Sequence, residues 1–68
     1  MYGERLKFLR KERKVPQKEL ADYLGISIRG YQFYESESNE PNIATLIKLA
    51  DFYGVTIDYL VGRTDEQR

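Results

Sequence analysis

The sequence predicts an all-α domain built from five short helices joined by tight turns. Apolar side chains recur along the chain at the three- and four-residue spacing of helix faces, and no stretch alternates as a strand would. Glycine or proline interrupts the pattern at Pro16, Gly25, Pro41 and Gly54. A chain of 68 residues is long enough for only one compact domain with a single small core.

Proline and glycine delimit the first two helices. We expect helix one over residues 2–13 and helix two over residues 17–24, because Pro16 breaks a helix interior but is accommodated at a helix start. Gly25 then supplies the left-handed residue that ends helix two. The inward-facing residues of the pair are predicted to be Leu6, Leu9, Leu20, Ala21 and Leu24.

Helix three, over residues 27–35 with Ser27 as its cap, carries apolar groups on both sides. Tyr31 and Tyr34 have the spacing of an inward face. The outward face holds Ile28, Arg29, Gln32 and Phe33. Because so small a domain cannot bury both faces, the outward face is expected to meet a partner.

The polar residues 35–42 read as a loop, followed by the last two helices. Asn42 is expected to cap helix four. The apolar residues that predict a central core helix are Ile43, Leu46, Ile47, Leu49, Ala50 and Tyr53. Helix five follows Thr56, with Ile57 and Leu60 inward, and residues 63–68 form a charged tail expected to fray.

Composition excludes most enzyme chemistry. The chain has no cysteine and no histidine, which removes thiolate nucleophiles, imidazole catalysis and the common zinc sites. We therefore expect no catalytic residue, no metal, no cofactor and no small-molecule substrate. No apolar run approaches the ~20 residues that cross a bilayer, and no signal peptide is visible, so a cytoplasmic protein without a membrane partner is expected.

Charge is balanced overall but unevenly distributed. Eleven basic residues face eleven acidic ones, and a neutral chain is mild evidence against nucleic-acid binding. Residues 1–35, however, hold eight basic and five acidic side chains, whereas residues 36–68 hold three and six. The basic half is open to two interpretations, a polyanion-binding surface or a solvated helix face with i,i+4 ion pairs.

A helix, a glycine turn and a second helix with a mixed outward face form the helix-turn-helix pattern. The stretch QKELADYLGISIRGYQFYE, with RLKFLRKERKV before it and EPNIATLIKLADFYGVTIDYLVG after it, resembles the lambda-repressor and Cro type of helix-turn-helix domain, the Xre family. The matching motif positions are Gln17, Leu20, Ala21, Leu24, Gly25, Ile26, Tyr31 and Tyr34. The resemblance implies a phage-repressor-like domain over residues 1–62, with the motif at 17–36 and the recognition helix at 27–35.

The family also implies which residues contact double-stranded DNA. The recognition helix would lie in the major groove, with Ser27, Ile28, Arg29, Gln32 and Phe33 facing bases or flanking phosphates. Arg29 is suited to guanine and the apolar residues to thymine methyls, while Gln32 is open between adenine and the backbone. Gln17 and the loop residues Ser38, Asn39 and Asn42 would hold phosphates.

Two further roles follow from the resemblance. Arg10 and Glu35 match an internal ion pair that orients the recognition helix, the alternative being that Arg10 contacts phosphate directly. The family's dimer contact falls on residues 55–61, where Tyr59 and Val61 are left over once inward positions are assigned.

The resemblance implies a bacterial or phage transcription regulator. We expect a repressor that binds an inverted-repeat operator as a homodimer and is nucleoid-associated through that binding. The alternative is a protein-interaction module, such as the DNA-binding half of an antitoxin-like or antirepressor-controlled pair, which the neutral charge and the acidic loop favour.

Overall fold

A computed structural model describes residues 2–68 and shows five helices with no strand in that range. The helices are α1 Tyr2–Glu12, α2 Gln17–Leu24, α3 Ile28–Glu35, α4 Ile43–Tyr53 and α5 Ile57–Leu60. The bounds of α1, α2 and α3 agree with the predicted ones to within one residue, and the all-α prediction is confirmed. None of the described helices has both the length and the apolar character needed to span a membrane.

Local chemistry sets the helix ends as expected. The side chains of Ser27, Asn42 and Thr56 each accept a hydrogen bond from the backbone amide three residues later. Each such cap stabilises a helix start by about 1 kcal/mol. Gly25 and Gly54 end α2 and α4 in the left-handed conformation, with φ angles of 73° and 68°. The turn that joins α2 to α3 has three residues, from Gly25 to Ser27.

The core lies around α1, which packs against both α3 and α5. The buried apolar residues are Leu6, Leu9, Leu20, Ala21, Leu24, Tyr31, Leu49, Ala50, Tyr53, Val55, Tyr59 and Leu60. Helix α4 contributes only one side of itself to this core. Ile43 is 73% exposed and Ile47 45% exposed, so the prediction that α4 is the central core helix is wrong.

Two assignments in α5 are also corrected. Ile57, predicted to face inward, is 37% exposed. Tyr59, predicted to be left over from the core, is buried, and the Arg5 guanidinium lies 4.1 Å from the centroid of its ring. Because Tyr59 closes the core against α1, it is not available as a surface contact, whereas Val61 remains partly exposed.

The charged tail contacts α1, in contrast to the expected fraying. Arg5 donates hydrogen bonds to the backbone oxygen of Thr64 and to the carboxylate of Asp65, each at 3.1 Å. The backbone amide of Thr56 donates to the oxygen of Gln67 at 3.0 Å. These contacts place the tail beside α1 and the start of α5.

Candidate nucleic-acid interface

Helix α3 presents the outward face that its residue spacing predicts. Ile28 is 41% exposed, Arg29 and Gln32 are exposed, and Phe33 is partly exposed. On the opposite side Tyr31 is fully buried and anchors α3 to the core. The α3 surface therefore combines two apolar groups, a cation and an amide on one accessible face.

Arg29 and Phe33 lie one helical turn apart, and the Arg29 guanidinium is 5.8 Å from the centroid of the Phe33 ring. A guanidinium near an aromatic face is attracted by the ring quadrupole and keeps its N–H donors. This contact limits the conformations of the Arg29 side chain.

Ser27, by contrast, uses its hydroxyl oxygen to accept a hydrogen bond from the Gly30 amide at 3.0 Å, so its main role is to cap α3.

The start of α2 meets α3 through two side-chain amides. Gln32 Nε2 donates to Gln17 Oε1 at 2.9 Å. Pro16 precedes α2 and provides no side-chain cap, so within residues 2–68 the backbone amides of Gln17 and Lys18 have no hydrogen-bond acceptor. Unpartnered donors at the positive end of a helix dipole attract anions.

Arg10 of α1 and Glu35 of α3 form a two-pronged ion pair. Arg10 Nε lies 2.6 Å from Glu35 Oε2 and Arg10 Nη2 lies 3.3 Å from Oε1. The Tyr31 hydroxyl donates to the same carboxylate at 2.5 Å. The Glu35 side chain is 4% exposed and that of Arg10 is 15% exposed, so the pair is largely shielded from water. Its position makes it a link between α1 and the end of α3.

The ionisation of this pair follows from its contacts. Burial raises the pKa of Glu35, but hydrogen bonds from Arg10 and Tyr31 outweigh burial and leave the pKa below its usual value. The hydrogen bond to Glu35 raises the pKa of Arg10. Both groups are therefore charged near neutral pH. Arg10 is engaged with Glu35 rather than free, which favours the orienting role over a direct phosphate contact.

The loop after α3 is folded onto itself. The backbone amides of Ser38 and Asn39 both donate to the carbonyl oxygen of Phe33, at 2.9 and 3.2 Å. These two amides are therefore engaged within the loop, whereas the side chains of Ser38 and Asn39 are exposed. Asn42 uses its side-chain oxygen to accept from the Thr45 amide at 2.8 Å, and its nitrogen donors remain.

Glu37 has a structural role that was not predicted from the sequence. It adopts a left-handed φ of 62°, and its carboxylate accepts a hydrogen bond from the Gly3 amide at 3.0 Å. A carboxylate at a helix start complements the dipole of α1. The nearby Tyr2 hydroxyl donates to the backbone oxygen of Asn39 at 2.9 Å. The acidic loop is thus attached to the start of α1.

A groove runs between α1 and the junction of α2 with α3. Its volume is about 340 Å³, and its lining residues are Lys7, Arg10, Lys11, Gln17, Gln32, Glu35 and Ser36. Lys7 and Lys11 were not singled out from the sequence. The signal that was available is their i,i+4 spacing, which places two like charges on one side of α1.

Comparisons with known proteins agree with this geometry. A helix-turn-helix family model matches residues 6–60. The chain is 42% identical over 66 residues to the uncharacterized HTH-type transcriptional regulator YobD of Bacillus subtilis, a match covering 97% of this chain and 59% of that protein. It is 42% identical over 67 residues to the cryptic phage CTXphi transcriptional repressor RstR of Vibrio cholerae, covering 96% of this chain and 60% of that repressor.

Among solved structures, the crystal structure of a transcriptional regulator from Listeria innocua matches with a TM-score of 0.89 at 33% identity, covering 97% of this chain and 62% of that one. The chain thus spans about three fifths of the length of these relatives. These relatives are regulators, in agreement with the prediction that the chain is not an enzyme. The chain belongs to the helix-turn-helix family of the lambda-repressor (Xre) type.

Proposed function

We propose that this domain binds double-stranded DNA sequence-specifically and regulates transcription by occupying an operator. One observation carries the proposal: the outward face of α3 and the uncapped start of α2 lie on the same side and are joined by the 2.9 Å hydrogen bond between Gln32 and Gln17. A major groove about 12 Å wide accepts one helix, while the backbone beside it meets the neighbouring helix start.

Base recognition falls to three residues of α3. The Arg29 guanidinium has the paired donors that match O6 and N7 of guanine. Ile28 and Phe33 supply apolar surface for thymine methyl groups, and both remain accessible in the fold.

Phosphate contacts fall to the start of α2 and to the loop. Gln17, with its unpartnered backbone amide, is placed to bind a phosphate oxygen. We infer that Gln32, whose amide is engaged with Gln17, acts on the backbone side of the interface rather than reading adenine. Asn42 and the exposed side chains of Ser38 and Asn39 are further candidates.

The finer part of the proposal is a homodimer on an inverted repeat. Two recognition helices related by a twofold axis would enter successive major grooves about 34 Å apart. With Tyr59 buried, the apolar surface that remains here is that of Ile57 on α5 and of Val61, which follows the helix. The repressor mode is supported by the relative named as a transcriptional repressor.

A protein-interaction module is the second candidate, in which the DNA-binding half serves a partner protein. The exposed apolar residues Ile43 and Ile47 on α4, together with the net charge of zero, favour it. Salt dependence separates the two functions. DNA binding releases counterions and weakens steeply as salt rises, whereas an apolar protein contact does not.

Selection from a pool of random duplexes at near-physiological salt tests the proposal directly. We expect enrichment of an inverted repeat whose half-site centres are separated by about one helical turn, 10 to 10.5 base pairs. Enrichment of single half-sites would retain DNA binding and reject the dimer. Recovery of no preferred sequence, with binding that is insensitive to salt, would reject the DNA-binding function.

A further inference from the structure

We propose that Lys7 and Lys11 of α1 form a second phosphate-binding element, so that the DNA backbone passing the start of α2 continues along the groove beside α1. The inference rests on the proposed DNA-binding function and extends it to a helix outside the helix-turn-helix motif. It assigns to α1 part of the affinity that the loop after α3 cannot supply.

The groove connects the two lysines to the proposed interface. Lys7 and Lys11 line it from α1, while Gln17 lines it from the start of α2 and Gln32 from α3. The two glutamines are the hydrogen-bonded pair that we place at the DNA backbone. A phosphate strand bound at Gln17 therefore has the lysine-lined wall as its immediate neighbour.

The groove is electrically positive. Arg10 and Glu35 also line it, but their charges cancel in the two-pronged ion pair. Over residues 2–68, Lys7 and Lys11 form no ion pair, and Glu35 is the one carboxylate in the groove wall. Two uncompensated cations thus face the same concave surface.

The spacing of the lysines supports an anionic partner. Residues four apart on a helix lie next to each other, and like charges there destabilise the helix. Other basic residues of the chain relieve such repulsion by pairing, as Lys18 does with Asp22 at 2.9 Å. The pair on α1 is instead left to be neutralised from outside, and a row of phosphates supplies that charge.

The acidic loop over residues 35–42 is a second reason to place phosphate contacts on α1. The backbone amides of Ser38 and Asn39 already donate hydrogen bonds to the carbonyl oxygen of Phe33. The loop also carries the carboxylates of Glu37 and Glu40. It is therefore poorly suited to hold phosphates by itself. Because the net charge of the chain is zero, the attraction for DNA must come from a local concentration of cations. The groove beside α1 is such a concentration.

The experiment measures binding of the full chain to a short mixed-sequence duplex across a salt series from about 50 to 200 mM. The test variant is Lys7→Ala with Lys11→Ala. The control is Lys48→Ala with Arg63→Ala, which removes the same charge from exposed positions outside the groove. Alanine retains helix propensity on α1, and a thermal unfolding curve verifies that each variant is folded.

If each lysine neutralises one phosphate, the slope of log affinity against log salt becomes shallower by about 0.9 per lysine, about 1.8 in the double variant. The control should leave the slope unchanged. An unchanged slope in the lysine variant, or an equal change in the control, would overturn the inference while leaving DNA binding intact. Absence of binding by the unaltered chain to this duplex, together with no enriched sequence in the selection, would reject the proposed function itself.

Discussion

Gln17 begins α2, Gln32 lies in the middle of α3, and one hydrogen bond of 2.9 Å joins their side-chain amides. Because Gln17 accepts through Oε1, its own amide nitrogen is turned away from Gln32, and a hydrogen bond from the Gln17 side chain helps to lower the pKa of Glu35. The contact therefore orients a donor group at the place where the backbone amides of α2 also lack partners. Gln32 is in this sense a positioning residue for Gln17.

The first prediction is that Gln32→Ala weakens DNA binding without changing sequence preference. Loss of one neutral hydrogen bond costs about 0.5 to 1.5 kcal/mol, and here it would loosen a phosphate contact that is the same for every sequence. Affinities for a panel of duplexes that differ at single base pairs measure the effect. A loss confined to one base pair would instead make Gln32 a base-reading residue.

A double-mutant cycle with Gln17→Ala provides the control for this prediction. If Gln32 acts only through Gln17, replacing Gln32 should cost little once Gln17 is already alanine. Additive losses would show that the two side chains act independently. Thermal unfolding should be little affected in both single variants, because both side chains lie at or near the surface.

This contact also shows where sequence reasoning stops. The cap at Ser27 and the left-handed turn at Gly25 depend on neighbouring residues, so the bounds of α3 and its outward face are predictable from spacing. The Gln17–Gln32 contact spans 15 positions and depends on how two helices cross. Spacing places each side chain on a face but does not give the crossing angle.

The incorrect predictions for α4 and α5 have the same origin, because they depend on contacts between residues that are distant in the sequence. Helix α4 is apolar on most of its surface, so spacing alone does not select which side enters the core, and Ile43 and Ile47 were misplaced. Tyr59 has the spacing of a packing residue but was assigned to the dimer contact, and its partner in the fold, Arg5, lies at the other end of the chain. The use of Glu37 as a cap for α1 depends equally on a distant partner, the Gly3 amide.

The second prediction concerns the ion pair between Arg10 and Glu35. Glu35→Gln removes the charge that compensates a largely buried guanidinium and should lower the free energy of unfolding by about 3 kcal/mol, the lower end of values for broken buried pairs. Urea unfolding at pH 7 measures the loss. A loss below about 1 kcal/mol would place the pair among surface ion pairs.

The pH dependence of the same variant checks the cause. The folded-state pKa of Glu35 lies below its unfolded value, so the stabilisation is complete above an unfolded pKa of about 4.3 and is lost as pH falls through the folded pKa. When the urea curves are repeated at pH values below 7, the free energies of unfolding of the unaltered chain and of Glu35→Gln should therefore converge. A constant difference at all pH values would rule out charge as its source.

The third prediction tests the close approach of α1 to the end of α3. A Cβ atom on Gly3 would overlap the backbone carbonyl oxygen of Glu35 and lie 2.7 Å from Glu37 Cγ. Since a backbone atom cannot move aside as a side chain does, Gly3→Ala should destabilise the fold by about 1 to 3 kcal/mol. Chemical denaturation measures the change.

Gly30→Ala is the matched control for this prediction. A Cβ there meets Ser27 Oγ at 3.2 Å, while the gain in helix propensity is about 1 kcal/mol, so the two effects oppose each other. The expected net change is under about 1 kcal/mol. Equal losses in both variants would mean that helix–helix contact at Gly3 is not the determining factor.

The fourth prediction assigns sequence reading to Arg29. Arg29→Ala should cost about 1 to 3 kcal/mol on the preferred duplex and relax the preference at one base pair, because a bidentate contact to guanine is lost. Arg29→Lys keeps the charge but not the paired donors, and should relax the preference with a smaller loss of affinity. A uniform loss across all sequences would assign Arg29 to the phosphates.

The fifth prediction concerns assembly through α5. Ile57 is the exposed apolar residue of this helix, while Tyr59 is buried and therefore structural. Ile57→Glu should abolish the proposed homodimer, since a dimer axis would bring two carboxylates together in an apolar contact. Sedimentation measures the association without DNA, and the stoichiometry on an inverted repeat measures it with DNA.

Phe8→Glu, which alters an aromatic residue on α1 that is 53% exposed, is the control for added charge and should leave the dimer intact. If Ile57→Glu associates as the unaltered chain does, the interface lies elsewhere, and the exposed α4 residues Ile43 and Ile47 become the next positions to substitute.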